Sequence, residues 1–265
     1  MAEAKYTRQT VVAVRTWLAG KLFSLRTTRD PGFVFQAGQF ARLGLPAAGD
    51  PQGEPRVWRA YSMVSGPARP ELEFYSVVVP DGEFSPLLGA LREGDPLYID
   101  RTAFGFLTLD RFAPGSDLWL LASGTGLSAY LSLLDDPRTW ESFRRVVLVH
   151  GVRTAAELAY RDEILAWPRR PDYASHFRDA PDRLVYLPIA SREALPGKPR
   201  ARLTALLEDG RLERLAGLDL DPERSRVMLC GNPAMVGDAR KLLAARGFAP
   251  GRRGVPGNLA VENYW

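Results

Sequence analysis

Short runs of alternating apolar and polar residues fill the chain from Tyr6 to about Asp110, and apolar blocks joined by helical segments fill the rest. The first pattern predicts strands at Val11 to Trp17, Leu22 to Thr27, Gln39 to Leu45, Val57 to Val64, Leu72 to Val79 and Pro96 to Asp100. Asp30-Pro31-Gly32, Gly49-Asp50-Pro51, Gly66-Pro67 and Pro80-Asp81-Gly82 punctuate them, because proline presets φ and glycine accepts positive φ. Such spacing suggests a closed antiparallel barrel. Beyond a linker at Asp110 to Asp117, short runs at Leu118 to Ala122, Val146 to His150, Leu184 to Ala190 and Val227 to Cys230 each precede a polar turn and a helical segment. Strands buried on both faces read this way, and the order implies a parallel sheet with right-handed crossovers. The expected fold is therefore a two-domain chain, with an antiparallel β-barrel over residues 1–110 followed by an α/β parallel-sheet domain over residues 111–265.

Composition narrows the chemistry. A hydrophobic fraction of 46% with 25% charged residues over 265 positions describes a folded protein able to bury a core. No apolar run approaches the roughly 18 to 20 residues of a membrane span, and the polar start MAEAKYTRQT lacks a signal peptide's apolar centre, so a cytoplasmic location is expected. The single cysteine, Cys230, excludes an internal disulfide and a four-cysteine cluster within this sequence. Neither His150 nor His176 lies in a cluster with metal-ligand spacing, and no metal is assigned. The net charge of +4 points to anionic partners, but the basic residues are scattered without a nucleic-acid stripe. An acidic protein or a phosphorylated cofactor fits that charge better.

The densest chemistry is Arg59-Ala60-Tyr61-Ser62: a forked anion-binding group, a flat ring and a hydroxyl on one predicted strand, a set that suits a flavin nucleotide. Alternation would point Arg59 and Tyr61 to one face and turn Ser62 away or to the strand's end. In Glu83-Phe84-Ser85-Pro86, Ser85 as N-cap and Pro86 in the first turn predict a short helix whose amides could meet the same phosphates. Tyr75 and Ser76 lie on an alternating strand beside which a nucleotide could rest. In the second half, polar punctuation falls where the strands end: Ser123-Gly124-Thr125-Gly126, Gly151-Val152-Arg153, Ser191-Arg192 and Gly231-Asn232-Pro233. Ligands of parallel sheets bind at that edge. Asn232 and Pro233 are also the expected start of a helix through about Ala245. A serine hydrolase is excluded, since the position two residues beyond Ser128 is Tyr130 rather than the glycine of a nucleophile elbow.

The order of these pieces, with Met228-Leu229-Cys230-Gly231-Asn232-Pro233 late and Val261-Glu262-Asn263-Tyr264-Trp265 at the end, resembles the bacterial ferredoxin/flavodoxin-NADP⁺ reductases over nearly the whole chain. The resemblance implies FAD on the barrel and NADP(H) on the α/β half, with hydride exchange between them and single electrons passed to ferredoxin or flavodoxin by a monomer. It implies FAD contacts from Arg59, Ala60, Tyr61, Ser62, Tyr75, Ser76, Glu83, Phe84 and Ser85, with Thr125 between the ligands and Tyr264 and Trp265 covering the flavin. Arg192, Arg202 and Ser191 match the positions that hold the 2′-phosphate; Val152, Arg153, Asn232, Pro233, Ala234 and Asp238 complete the nucleotide side. Ser62, Cys230 and Glu262 are the implied catalytic set. Ala129 stands where the family usually has proline, and Pro196-Gly197-Lys198-Pro199-Arg200 follows no fixed motif. A flavin-binding electron-transfer subunit or redox sensor without NADPH activity is the alternative on this scaffold.

Overall fold

The structure is a computed structural model and describes residues 5–46, 53–252 and 254–263. Its first sheet contains β1 (Tyr6–Leu18), β2 (Leu22–Thr27), β3 (Phe40–Leu45), β4 (Val57–Ser62), β5 (Leu72–Val77) and β6 (Pro96–Phe104), ordered β4-β3-β6-β1-β2-β5 and antiparallel throughout. Alternate residues of these strands, among them Val11, Leu25, Leu43, Leu72, Phe74, Leu97 and Ile99, meet in one core, as a period of two requires. The two end strands, β4 and β5, approach without a ladder: a single bridge joins Met63 to Phe74, and Val64 N–H donates to Glu73 O at 2.8 Å. The expected closed barrel is therefore nearly closed, and β4 keeps one edge unladdered.

Helix α1 (Ser85–Gly89) plugs this barrel with Phe84 and Leu88 in the core. Ser85 is not its N-cap. Phe84 holds that position in helical conformation, and the Ser85 hydroxyl accepts the Val79 N–H at 2.9 Å, closing the intervening turn instead. Pro86 does fall in the first turn.

The second sheet is wholly parallel and runs β11-β10-β7-β8-β9, from β7 (Asp117–Ser123), β8 (Arg145–Val152), β9 (Leu184–Ala190), β10 (Ser225–Gly231) and β11 (Leu259–Asn263). Every residue of β10 is buried, the apolar run Val227 to Cys230 as its pattern requires and Arg226 with its guanidinium bonded to backbone carbonyls such as Ala113 O at 2.8 Å. On one face Leu118, Leu120, Val146, Leu148 and Met228 pack with α2 (Leu127–Leu134), α3 (Pro137–Ser142), α4 (Arg161–Ala166) and α5 (Ala174–Phe177). On the other, Trp119, Val147, Val149, Val227 and Leu229 pack with α6 (Leu203–Glu208), α7 (Arg211–Ala216) and α8 (Pro233–Ala245). The chain leaves β7 towards β8 on one side and later returns to β10 on the other, so the strand order reverses beside β7 and opens a crevice at the carboxyl ends.

Between the sheets, residues 109–111 form a single helical turn and the backbone of Ala113 donates to Gly257 O at 3.1 Å, so the expected linker is pinned to a distant segment. A buried ionic latch joins the two sheets' units. Asp135, at the C-terminal end of α2, accepts from Arg69 Nε and Nη2 at 2.7 and 2.6 Å and from the Gly66 amide at 2.9 Å. Arg170 and the Tyr173 hydroxyl donate to the same carboxylate at 3.2 and 3.1 Å. Burial alone would raise the Asp135 carboxyl, but Arg69, the Gly66 amide and Arg170 hold it below the usual carboxylate range.

Candidate functional site

Two cavities meet along the seam between the sheets. One, of about 700 Å³, is walled by the edge strand β4, by β5, by the turn before α1 and by the end of β11; the other, a cleft of about 750 Å³, lies along the carboxyl ends of the parallel strands. Tyr75, Val77 and Thr125 line both, so the two cavities adjoin across these three residues.

All four residues Arg59, Ala60, Tyr61 and Ser62 line the barrel cavity. Alternation puts Ala60 on the opposite face from Arg59 and Tyr61, yet it lines this space as well, and Ser62 stands at the strand's end, the second of the two placements alternation left open. Tyr75, Ser76, Phe84, Ser85, Thr125 and Glu262 share this wall. Glu83 is not on it, but reaches back to Arg59 at 3.3 Å. Three buried polar atoms of the wall, Ser62 Oγ, Tyr75 Oη and Glu262 Oε2, have no hydrogen-bond partner among the described residues. Buried polar atoms are rarely left unpaired, so these three mark where a polar, flat ligand would be received. Burial pushes the Glu262 carboxyl up to about 7, against a donating Phe106 amide. Gly105 makes room for it: at φ +105 a side chain is strained, and a Cβ there would lie 2.8 Å from Glu262 Oε1.

The sheet-edge cleft collects cations. Lys21, Arg153, Arg192 and Arg202 line it with two carboxylates, Glu157 and Asp238. Backbone bonds bring the arginine loops together: Ser191 N–H donates to Val152 O at 3.0 Å and Arg192 N–H to Arg153 O at 2.9 Å. Glu157 accepts from Lys21 and from Arg153 Nε (3.0 Å), tying a cation from each unit to one carboxylate. Burial favours the neutral acid there, yet Lys21 and Arg153 keep Glu157 below the usual range. Val152, Ser191, Asn232, Ala234 and Asp238 complete the predicted lining. Asn232 caps α8 through Oδ1, which accepts the Ala234 N–H at 3.0 Å, and Pro233 starts the helix without facing the cleft.

The turn after β7 is held tightly where the cavities join. A Cβ on Gly126 would lie 2.5 Å from the Cys230 carbonyl, and one on Gly231 only 2.4 Å from Ser123 Oγ, so both strand ends approach at distances only glycine allows. Cys230 itself is fully buried and lines neither cavity; its backbone carbonyl, packed on Gly126, is its link to the site. Ala129, which stands where the family usually has proline, is fully buried, and Ser128 Oγ donates to Thr125 O at 2.9 Å. Tyr264 and Trp265 lie outside the described residues. Sequence reasoning missed Lys21, Glu157 and Thr204 in the cleft and Phe40 in the barrel cavity; Asn263 entered only as part of the terminal motif, with no contact assigned to it. Lys21 and Glu157 carried a signal only as opposite charges on turns far apart in sequence.

A nearly closed antiparallel barrel opening onto the switch point of a doubly covered parallel sheet, with unpaired polar atoms on one wall and arginines on the other, defines a flavin- and nucleotide-type oxidoreductase. Residues 120–241 match the oxidoreductase NAD-binding domain family. The chain is 42% identical to "Ferredoxin--NADP reductase A" of Sorangium cellulosum (strain So ce56), covering 97% of this chain and 89% of that one. It is 40% identical to "Flavodoxin/ferredoxin--NADP reductase" of Escherichia coli (strain K12), covering 96% and 97%. A crystal structure of a ferredoxin NADP⁺ reductase from Neisseria gonorrhoeae with bound FAD and NADP superposes with a TM-score of 0.87 at 33% identity, over 98% of this chain and 99% of that one. The chain belongs to the ferredoxin/flavodoxin-NADP reductase family of oxidoreductases.

Proposed function

We propose that the chain is an FAD-dependent reductase that exchanges electrons between NADP(H) and a ferredoxin or flavodoxin. The observation that supports this most is the shared lining of Tyr75, Val77 and Thr125, which sets the barrel cavity and the sheet-edge cleft side by side. In this reading residues 1–110 hold FAD and residues 111–265 hold NADP(H).

Arg59, exposed at the rim and only loosely tied to Glu83, forks onto the pyrophosphate. Tyr61 and Tyr75 flank the ring system, and the Ser62 hydroxyl gains there the partner it lacks among the described residues. Ser76, Phe84 and Ser85 complete that wall. Bound in this cavity, FAD supplies the exchange between a two-electron nicotinamide donor and a one-electron carrier. Arg192 and Arg202, with Ser191, receive the 2′-phosphate, since the cleft offers them as cations that no ion pair among the described residues engages, whereas its Glu157 carboxylate is already taken by Lys21 and Arg153. Arg153 stands beside them, already oriented by Glu157. Glu262, which burial keeps protonated to about pH 7, is a proton reserve on the flavin wall.

The carrier is an acidic protein drawn to a chain of net charge +4. Among the described residues no helix is long and apolar enough to cross a membrane. We place the protein in the cytoplasm as a monomer that acts without nucleic acid. Purification tests the central reading: the protein should retain or take up FAD stoichiometrically, bleach with NADPH, and pass electrons to ferredoxin or flavodoxin. A chain that cannot be reconstituted with FAD overturns it.

A further inference from the structure

His150 has no place in the cofactor contacts above, yet it is fully buried and both ring nitrogens are engaged. It is the sixth residue of β8, beside β7 on one side and β9 on the other. Nε2 lies 3.2 Å from the Gly124 carbonyl oxygen, and Nδ1 lies 3.4 Å from the Tyr186 hydroxyl. The partners decide the tautomer. A carbonyl can only accept, so Nε2 must carry the proton; Nδ1 then presents its lone pair to the Tyr186 O–H. Burial lowers the His150 pKa to about 4, so the ring is neutral at physiological pH, and burial likewise raises the Tyr186 hydroxyl and keeps it a donor.

What this ring holds is the turn at the junction of the two cavities. Gly124 is left-handed (φ +55), and the next residue, Thr125, lines both spaces. The other two residues of the turn are fixed independently, Thr125 O by Ser128 and Gly126 by its contact with the Cys230 carbonyl. The Gly124 carbonyl accepts the backbone N–H of Leu127 within the turn, and the His150 ring is the side chain that ties it to β8.

We propose that His150, in the tautomer set by Tyr186, is a positioning residue that fixes the Gly124–Thr125–Gly126 turn and thereby the alignment of the two bound rings. The inference rests on the reading of the cavities as FAD and NADP(H) sites. His150→Leu removes both bonds, His150→Gln keeps a donor that can reach Gly124 O, and Tyr186→Phe leaves the ring without the group that sets its tautomer. In the FAD-loaded protein, stopped-flow reduction by NADPH should slow by roughly ten- to a hundredfold in His150→Leu, the scale of a sub-ångström to ångström misplacement of reacting groups. Tyr186→Phe should slow less, and His150→Gln should recover most of the rate. Affinity for adenosine 2′,5′-bisphosphate should stay within about twofold in all three, because that probe is held by the arginines and not by ring alignment. Nitrogen-15 NMR of histidine-labelled wild-type protein should show the Nε2–H tautomer from about pH 5 to 8, with the His176 signal identified by His176→Gln. An Nδ1–H tautomer, or a His150→Leu protein reduced as fast as wild type, overturns the proposal. So does a Gln variant as slow as Leu, or a fall in bisphosphate affinity matching the fall in rate. A wild-type protein that NADPH cannot reduce instead overturns the functional reading, while the tautomer measurement still stands.

Discussion

Replacing Asp135 by alanine should destabilise the protein more than any surface substitution, because one buried carboxylate serves donors from both sheets' units. The change leaves the buried Gly66 N–H, one Arg170 nitrogen and the Tyr173 hydroxyl without this acceptor, while the Arg69 guanidinium loses its two bonds to Asp135 and keeps the one from Nη2 to Asp172 at 2.9 Å. Breaking a buried ion pair from one side costs about 3 to 5 kcal/mol. The lower end applies here, since the Arg69 side chain keeps 37% of its surface in contact with solvent and recovers part of its hydration. About 3 kcal/mol in a chain of this size lowers Tm by on the order of 10 °C. Asp135→Asn keeps a neutral acceptor and should fall between. The pH dependence follows from the depressed native pKa: the carboxylate's contribution is present above its unfolded pKa of about 3.9 and is lost as pH falls through the native value. Urea unfolding of wild type and Asp135→Ala at about pH 7, 5 and 3 should show the same gap at the first two and a smaller one at the third. A gap below about 1 kcal/mol at neutral pH, or one that persists undiminished into acid, refutes the account.

Arg192→Ala with Arg202→Ala should raise KM for NADPH by roughly tenfold or more per lost charge-assisted contact while leaving KM for NADH nearly unchanged; equal changes in the two constants would remove these arginines from 2′-phosphate recognition. Glu262 has its native pKa raised to about 7, so its contribution to stability is full below the unfolded value near 4 and is lost as pH rises through 7. Glu262→Gln should flatten that decline, worth about 3 kcal/mol in the flavin-free protein, and a wild-type stability profile that is already flat from about pH 4 to 8 contradicts it. Gly126→Ala places a methyl 2.5 Å from the Cys230 carbonyl and should cost about 1 to 3 kcal/mol in chemical denaturation, with slower reduction by NADPH; unchanged stability would show that the two strand ends can separate freely.

Much of the architecture was legible because period reports burial. Leu22–Thr27 and Leu184–Ala190 were recovered to the residue, the first as an alternating strand and the second as an apolar run. The α8 helix was bounded correctly by Asn232-Pro233, where capping is local chemistry. Ser85 misled for the complementary reason: a serine before proline has a local role open to it, but a more distant amide, that of Val79, takes the hydroxyl. β11 gave no periodic signal, being five residues long behind a glycine- and proline-rich stretch and ending in Glu262 and Asn263; pairing with β10 makes it a strand. For the candidate site, strand ends pointed to the right edge of the sheet and to most of its lining. Lys21 and Glu157 were out of reach, since 136 positions separate two side chains whose meeting depends on how the units dock.

β11 also sets an order of events. Its backbone belongs to the parallel sheet, yet Glu262 and Asn263 form part of the barrel cavity's wall, and Glu262 lies against Gly105. The strands of the barrel sheet end at Phe104, so they can pair while that wall is still missing. That side of the wall arrives only when β11 pairs with β10 across the α8 crossover, and parallel pairing of this kind is slower to form than a hairpin. Tight flavin capture should therefore be among the last steps of folding, and a barrel cut away from the rest of the chain would form its sheet but leave the cavity open on the Glu262 side.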